Sequence, residues 1–190
     1  MAVTSLRERK KQATRVALQE AALRLALAKG PDNVRVDEIA DAAGVSPRTY
    51  NNYFPSREHA IVAAVTASRM PALAAGGPLA AAVADAVVGH YTEPGDPAAM
   101  LMITTNPGLR ACYVDTAAGI EGPLTEAIVS RGVDAKTAEV LAAAIGAAAK
   151  VALRRWLKPA GGLMMVSGSL PELIRAALEP LAPALDATAG

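Results

Sequence analysis

The chain has 190 residues, 52% of them hydrophobic but only 3% aromatic, with a formal net charge of +1. That length suits one ordinary domain or two small ones, and the alanine behind much of the apolar count favours helices that approach closely. The longest apolar run, Val140 to Ala149, falls far short of the roughly 20 residues of a membrane span; with no apolar block following the charged MAVTSLRERKKQ, no secretory signal is expected either, and the protein is assigned to the cytoplasm.

Between residues 5 and 29 no proline or glycine interrupts a stripe of Val16, Ala17, Leu18, Ala21, Leu23, Leu25 and Leu27, which predicts a first helix. Gly30 and Pro31 end it. In VDEIADAAG, the spacing of Val36, Ile39, Ala40 and Ala43 is that of one buried helical face, so a second helix is expected over 36–43. Gly44 suits a left-handed turn, Val45 plugs the corner, Ser46 caps a third helix and Pro47 takes its first position. At about 100° per residue, Tyr50 and Phe54 share one side of that helix, while Arg48 and Asn52, flanked by Thr49 and Tyr53, share the other. Pro55 closes it. Ser56 predicts a cap for a fourth helix over 57–70, stopped by Pro71 and the Gly76-Gly77 pair. Alanine-rich helices follow over 78–91, 97–105, 107–131, 134–158 and 170–185, the third of them interrupted at Gly122-Pro123. Asp96 and Asn106 are expected caps, and Ser169 with Glu172 reads as a capping box. No repeat of fixed period and no alternation long enough for a sheet is present, so the fold class is all-α.

Two short helices joined by a glycine turn, with a polar outward face on the second, form a helix-turn-helix. Such a motif sends its second helix into the DNA major groove. Arg48 can donate two hydrogen bonds to a guanine edge, Thr49 or Asn51 can reach bases or adjacent phosphate, and Asn52, Tyr53 and Arg57 suit the phosphate backbone. A merely solvated helix face has the same spacing. Charge leans the same way: residues 1–60 hold ten Lys or Arg against seven acids, and the remainder nine against eleven.

The stretch EAALRLALAKGPDNVRVDEIADAAGVSPRTYNNYFPSREHAI resembles the DNA-binding domain of the TetR family of bacterial transcriptional regulators. The resemblance covers about residues 6–64 and rests on A-A-L-x-L, the glycine at 30, V-x-x-I-A-x-A-A-G-V-S and Y-F-P-S-R-E in order and at the right spacing. It implies a three-helix helix-turn-helix DNA-binding domain with its connecting fourth helix over 1–70, followed by a helical effector-binding and dimerisation domain over 71–190. It further implies that Tyr53 and Arg57 grip phosphates and that Pro47, Arg48, Thr49 and Asn51 face bases or backbone, with Ser46 and Asn52 completing the DNA-facing set. Three positions depart from the pattern. Ala26 stands where the family commonly has Phe, and Pro31 where an aromatic is common, thinning a core that Leu27 is expected to refill. Arg35 stands where Thr often caps the second helix and touches phosphate; it is expected to lose the cap and supply the phosphate contact by charge.

For the second domain the resemblance implies a small-molecule effector and a homodimer on a palindromic operator, with repression relieved by the effector. Candidate effector contacts are His90, Met100, Met102, Ile103, Thr104, Tyr113 and Trp156, with Thr105 and Asn106 beside them; core packing is the alternative for each. Arg110 and Asp115 are the charges between Pro97 and Ile120, which favours a mostly apolar effector. The dimer is expected along the last two long helices, through Leu141, Ala144, Ile145, Ala148, Leu173 and Leu178, where small residues allow close packing. An enzyme is disfavoured: His59 and His90 are the two histidines, and no G-x-S-x-G elbow, metal-spaced cluster or glycine-rich phosphate loop occurs. No cofactor or metal is expected, and the single cysteine, Cys112, reads as a small buried apolar residue. A DNA-binding architectural protein or an activator without an effector is the alternative.

Overall fold

The computed structural model describes residues 6–66, 72–92, 96–157, 159–160, 163–164 and 168–188. They form α1 (Leu6–Lys29), α2 (Val36–Ala42), α3 (Pro47–Asn51), α4 (Arg57–Val65), α5 (Leu79–Thr92), α6 (Pro97–Thr105), α7 (Pro107–Asp115), α8 (Glu121–Val129), α9 (Ala135–Trp156), α10 (Leu170–Leu178) and α11 (Ala182–Ala187). Extended pairing is confined, among these residues, to Pro159–Ala160 against Leu163–Met164. The fold is all-α. The end of the fourth helix expected up to residue 70 lies outside the described residues.

Two expected helices are divided. The segment 107–131 breaks at a 3-10 turn, Thr116–Ile120, ahead of Gly122-Pro123. Pro123 falls in the first turn of α8, where no backbone N–H is needed, so the helix restarts just before it rather than breaking at it. The segment 170–185 breaks at a second 3-10 turn, Glu179–Leu181, because Pro180 supplies no N–H to continue α10 and Pro183 suits the start of α11. Asp96 and Asp134 cap as expected or by the same rule, accepting from the Ala98 and Thr137 N–H at 2.9 and 3.0 Å, and Asn106 accepts from the Leu109 N–H at 3.0 Å. Ser169 makes no side-chain capping bond, so that half of the expected capping box is missing.

The chain divides into two compact units, Met1–Ala67 with Asp96–Cys112, and Ser68–Gly95 with Tyr113–Gly190. In the first, α1 lies along α4 and α2, and α6 packs on α1 and α4. Its core holds Leu18, Ala22, Ala26, Ile39, Tyr50, Phe54 and Ile61. Val16 and Leu27 are 37% and 40% exposed, which corrects the expected stripe: α1 turns its alanines inward, at Ala21, Ala22 and Ala26, so neighbouring helices approach closely and Leu27 cannot refill the space left by Ala26. Gln19 is buried on this face and donates from Nε2 to the Ala63 carbonyl of α4 at 3.1 Å.

In the second unit α9 packs against α8 and α10, and α5 against α10 and α11. Its inward face, Ala138, Leu141, Ala142, Ile145, Ala149, Ala152 and Leu153, is buried. Arg131 fastens the end of α8 to the segment before α5, donating to the carbonyls of Ala74 and Gly77.

Candidate nucleic-acid interface

The turn between α2 and α3 is built as its residues require. Gly44 has φ +69°, a conformation an L side chain rarely adopts. Its N–H and that of Val45 bond the carbonyls of Asp41 and Ala40 at 3.0 and 2.9 Å, closing α2. Ser46 Oγ accepts the Thr49 N–H at 3.1 Å and lies 2.9 Å from Thr49 Oγ1, which fixes the first turn of α3. The rest of α3 is held from beneath. Tyr50 and Phe54 are buried, their ring centroids 5.9 Å apart, and the Tyr50 hydroxyl donates to the Ser56 carbonyl at 2.8 Å. Burial pushes that phenol's pKa well up, so it stays a donor. Arg15 of α1 lies over the Phe54 ring, 5.0 Å from its centroid. The helix ends at Asn51, short of the expected Pro55; with the turn that follows, it has one buried aromatic side and one polar side, on which Pro47, Arg48, Asn51 and Asn52 are exposed and Thr49 and Tyr53 half-buried.

Residues 18–65 match the profile of the bacterial regulatory proteins of the tetR family. The chain is also 34% identical over 148 residues to the HTH-type transcriptional regulator TcmR of Streptomyces glaucescens, a match covering 68% of this chain and 65% of that protein's length. Residues 18–65 carry the DNA-binding domain of the TetR family. A crystal structure of a transcriptional regulator from Rhodococcus sp. Rha1 aligns over 90% of this chain and 95% of that one at 20% identity, with a TM-score of 0.41, a likeness too loose to carry a fold argument.

Against the TetR pattern, two residues take unforeseen places. Arg57, expected on phosphate, is turned into the protein: Nη1 donates to the carbonyls of Asp32 and Val34 at 2.7 and 3.0 Å, and Nε to Glu58 Oε1 at 2.8 Å. Asp32 Oδ1 lies 3.7 Å from Nη2, and the same carboxylate accepts from the Asn106 carboxamide at 3.1 and 3.2 Å. Arg57 thus ties the turn after α1 to the start of α4, and Asn106 ties in the α6–α7 junction. Ser56 was expected to cap α4; its Oγ instead lies 2.9 Å from His59 Nδ1, and no side-chain cap is made. At Arg35 the lost Thr cap is partly replaced: the Arg35 N–H donates to Glu38 Oε2 at 2.9 Å, the reciprocal half of a capping box. Its guanidinium is exposed, 3.3 Å from Asp37 Oδ2. Lys29 sits 2.6 Å from both Glu38 oxygens, and that bond, then the Arg35 N–H, holds the Glu38 carboxyl below its ordinary pKa.

The expected effector residues are not gathered in one unit. Met100, Met102, Ile103 and Thr104 lie in the first unit on α6, with Met102 and Ile103 buried and the Thr104 hydroxyl donating to the Leu101 carbonyl of its own helix at 3.0 Å. Thr105 does the same at 2.8 Å. His90, Tyr113 and Trp156 belong to the second unit. There the His90 ring meets Tyr91 edge-on at 4.8 Å, and Tyr91 meets Tyr113 at 6.3 Å; burial pushes the Tyr113 phenol up to about 12. The Tyr91 hydroxyl is buried and has no hydrogen-bond partner among the described residues. Sequence reasoning passed over Tyr91, although an aromatic next to His90 in a chain with 3% aromatics was a usable signal. Asp32 gave no such signal, because its role depends on a fold contact 74 residues away.

The expected dimer residues also separate. Leu141, Ile145 and Leu178 are buried within their own unit. Ala144, Ala148 and Leu173 are half-buried. The large apolar side chains that α9 leaves outside are Val140 and Val151, 64% and 42% exposed.

Proposed function

We propose that this protein is a ligand-responsive transcriptional regulator, acting as a repressor, that binds a palindromic duplex operator as a homodimer in the cytoplasm and is released by a mostly apolar small molecule. The observation that carries the DNA reading is the two-sided α3: buried Tyr50 and Phe54 fix it, and exposed Arg48, Asn51 and Asn52 form its free edge. Among the described residues no hydrogen bond or ion pair uses that edge, and its groups are those that read base edges and phosphates. The TetR-family match of residues 18–65 and the name of the Streptomyces relative support regulation rather than catalysis. In this reading residues 1–70 read DNA and 71–190 carry effector binding and dimerisation, and within the first unit the α6–α7 junction is tied to the reader through Asn106, Asp32 and Arg57.

Selection of genomic duplex fragments by the full chain, followed by titration of the recovered sequence, tests this. The expected outcome is one palindromic site, with Arg48→Ala costing about 1–3 kcal/mol and relaxing preference at one base pair per half-site. Recovery of unrelated fragments with equal affinity would leave a non-specific architectural protein. A ligand of the second unit that leaves operator affinity unchanged would remove the effector part alone.

A further inference from the structure

Residues 6–13, the first two turns of α1 and beyond, are exposed on every side. Packing does not account for a helix there; its residues are good helix formers, but the arrangement of its charges works against them. Within 6–15, Arg7, Arg9, Lys10, Lys11 and Arg15 stand against one acid, Glu8. Arg7 and Arg9 in the first turn oppose the helix dipole, with Glu8 alone in favour of it. Arg7 with Lys11, and Lys11 with Arg15, are like-charged pairs at i, i+4, which destabilise an isolated helix.

These costs share one geometry. At about 100° per residue, Arg7, Lys11 and Arg15 lie along the side of α1 that continues, one turn on, into buried Leu18, Ala22 and Ala26. Where the core ends, its facing stripe becomes cationic. Arg15 fixes where that stripe points, because its guanidinium lies over Phe54 at the end of α3. Arg9 falls roughly opposite.

The geometry points to a second DNA contact: the row Arg7, Lys11 and Arg15 binds duplex phosphates beside those reached by α3. The inference rests on the DNA-binding reading of α3 and extends it to another element. A phosphate backbone removes both electrostatic costs together, since it neutralises the row and puts negative charge at the helix N-terminus. A solvated tail needs no such alignment with the core face.

The test uses the full chain, a mixed-sequence duplex of about three helical turns, the fragment selected above, and salt titration by fluorescence anisotropy. Arg7→Gln with Lys11→Gln is expected to lower the salt slope by about two phosphates' worth, roughly 0.9 each. Affinity for both duplexes should fall by a common factor of about ten, leaving the preference between them unchanged. Arg9→Gln should leave the slope in place. Helicity and the unfolding midpoint of the double variant should equal or exceed those of the parent, because like-charge repulsion has been removed; a fall in both would assign the row to folding and overturn the inference. An unchanged slope in the double variant, or an equal loss in Arg9→Gln, would also overturn it while leaving the α3 reading intact. Failure of the parent chain to bind either duplex would remove both.

Discussion

Tyr91 holds a buried hydroxyl with no partner among the described residues, and a donor left in that state costs about 1–3 kcal/mol. Truncating an aromatic in a core usually destabilises; here the change that deletes only the oxygen should do the opposite. Tyr91→Phe is expected to raise the urea midpoint of the effector-free protein by an amount corresponding to about 1 kcal/mol, and a drop of that size would mean the hydroxyl is satisfied in solution. Arg57 presents the reverse case. Its guanidinium holds two backbone carbonyls and Glu58, so Arg57→Ala should lower stability by about 1–3 kcal/mol, chiefly from carbonyls left without donors. Urea unfolding without DNA measures this directly. No loss of stability would show that Arg57 serves the DNA surface rather than the fold.

Elements differ in how far their sequence shows them. The α2–turn–α3 segment was legible because each feature is local: Gly44 must take a positive φ, Ser46 bonds three residues ahead, and Tyr50 and Phe54 are one turn apart. α1 was legible as a helix but not as a face. Apolar spacing favoured Val16 and Leu27, whereas the core selected the alanines that let α4 approach, a choice made by a partner helix far along the chain. Arg57 was illegible for the same reason, since the carbonyls of Asp32 and Val34 that it holds come from another segment. The start of α2 falls between, with its Thr cap absent but its Glu38 contact readable at three residues' distance. Glu38 has a folded pKa below its ordinary value, so its bonds to Lys29 and Arg35 stabilise the protein above the unfolded carboxylate pKa of about 4.3 and are lost as pH falls through the depressed folded value. The difference in unfolding midpoint between the parent and Glu38→Ala should accordingly be constant from neutral pH to about 5 and close below about 4. A difference that persists in acid would assign Glu38's contribution to packing rather than charge.

At the scale of the whole molecule, one helix-turn-helix offers too little surface for tight specific binding, and two readers on successive major grooves, about 34 Å apart, require a two-fold partner. The surface available for that partner follows from what α9 does not bury. Its inner side, Leu141, Ile145, Ala149 and Leu153, fills the second unit. Its outer side runs Val140, Ala144, Ala147 and Val151 at spacings of three and four, with Val140 and Val151 exposed, and small residues between them let a second helix approach closely. A two-fold axis crossing this helix would set the stripe against its own copy, as an isologous contact demands. Ala144→Glu would then place a carboxylate in each half of a closed apolar seam, where it has no partner. Sedimentation at micromolar concentration is expected to show a dimer for the parent and a monomer for Ala144→Glu, with helicity unchanged and operator affinity lost. Leu141→Ala supplies the contrast: it should weaken folding by about 2–5 kcal/mol while leaving the folded fraction dimeric, because its side chain faces inward. A dimer that survives Ala144→Glu would place the two-fold axis on another surface.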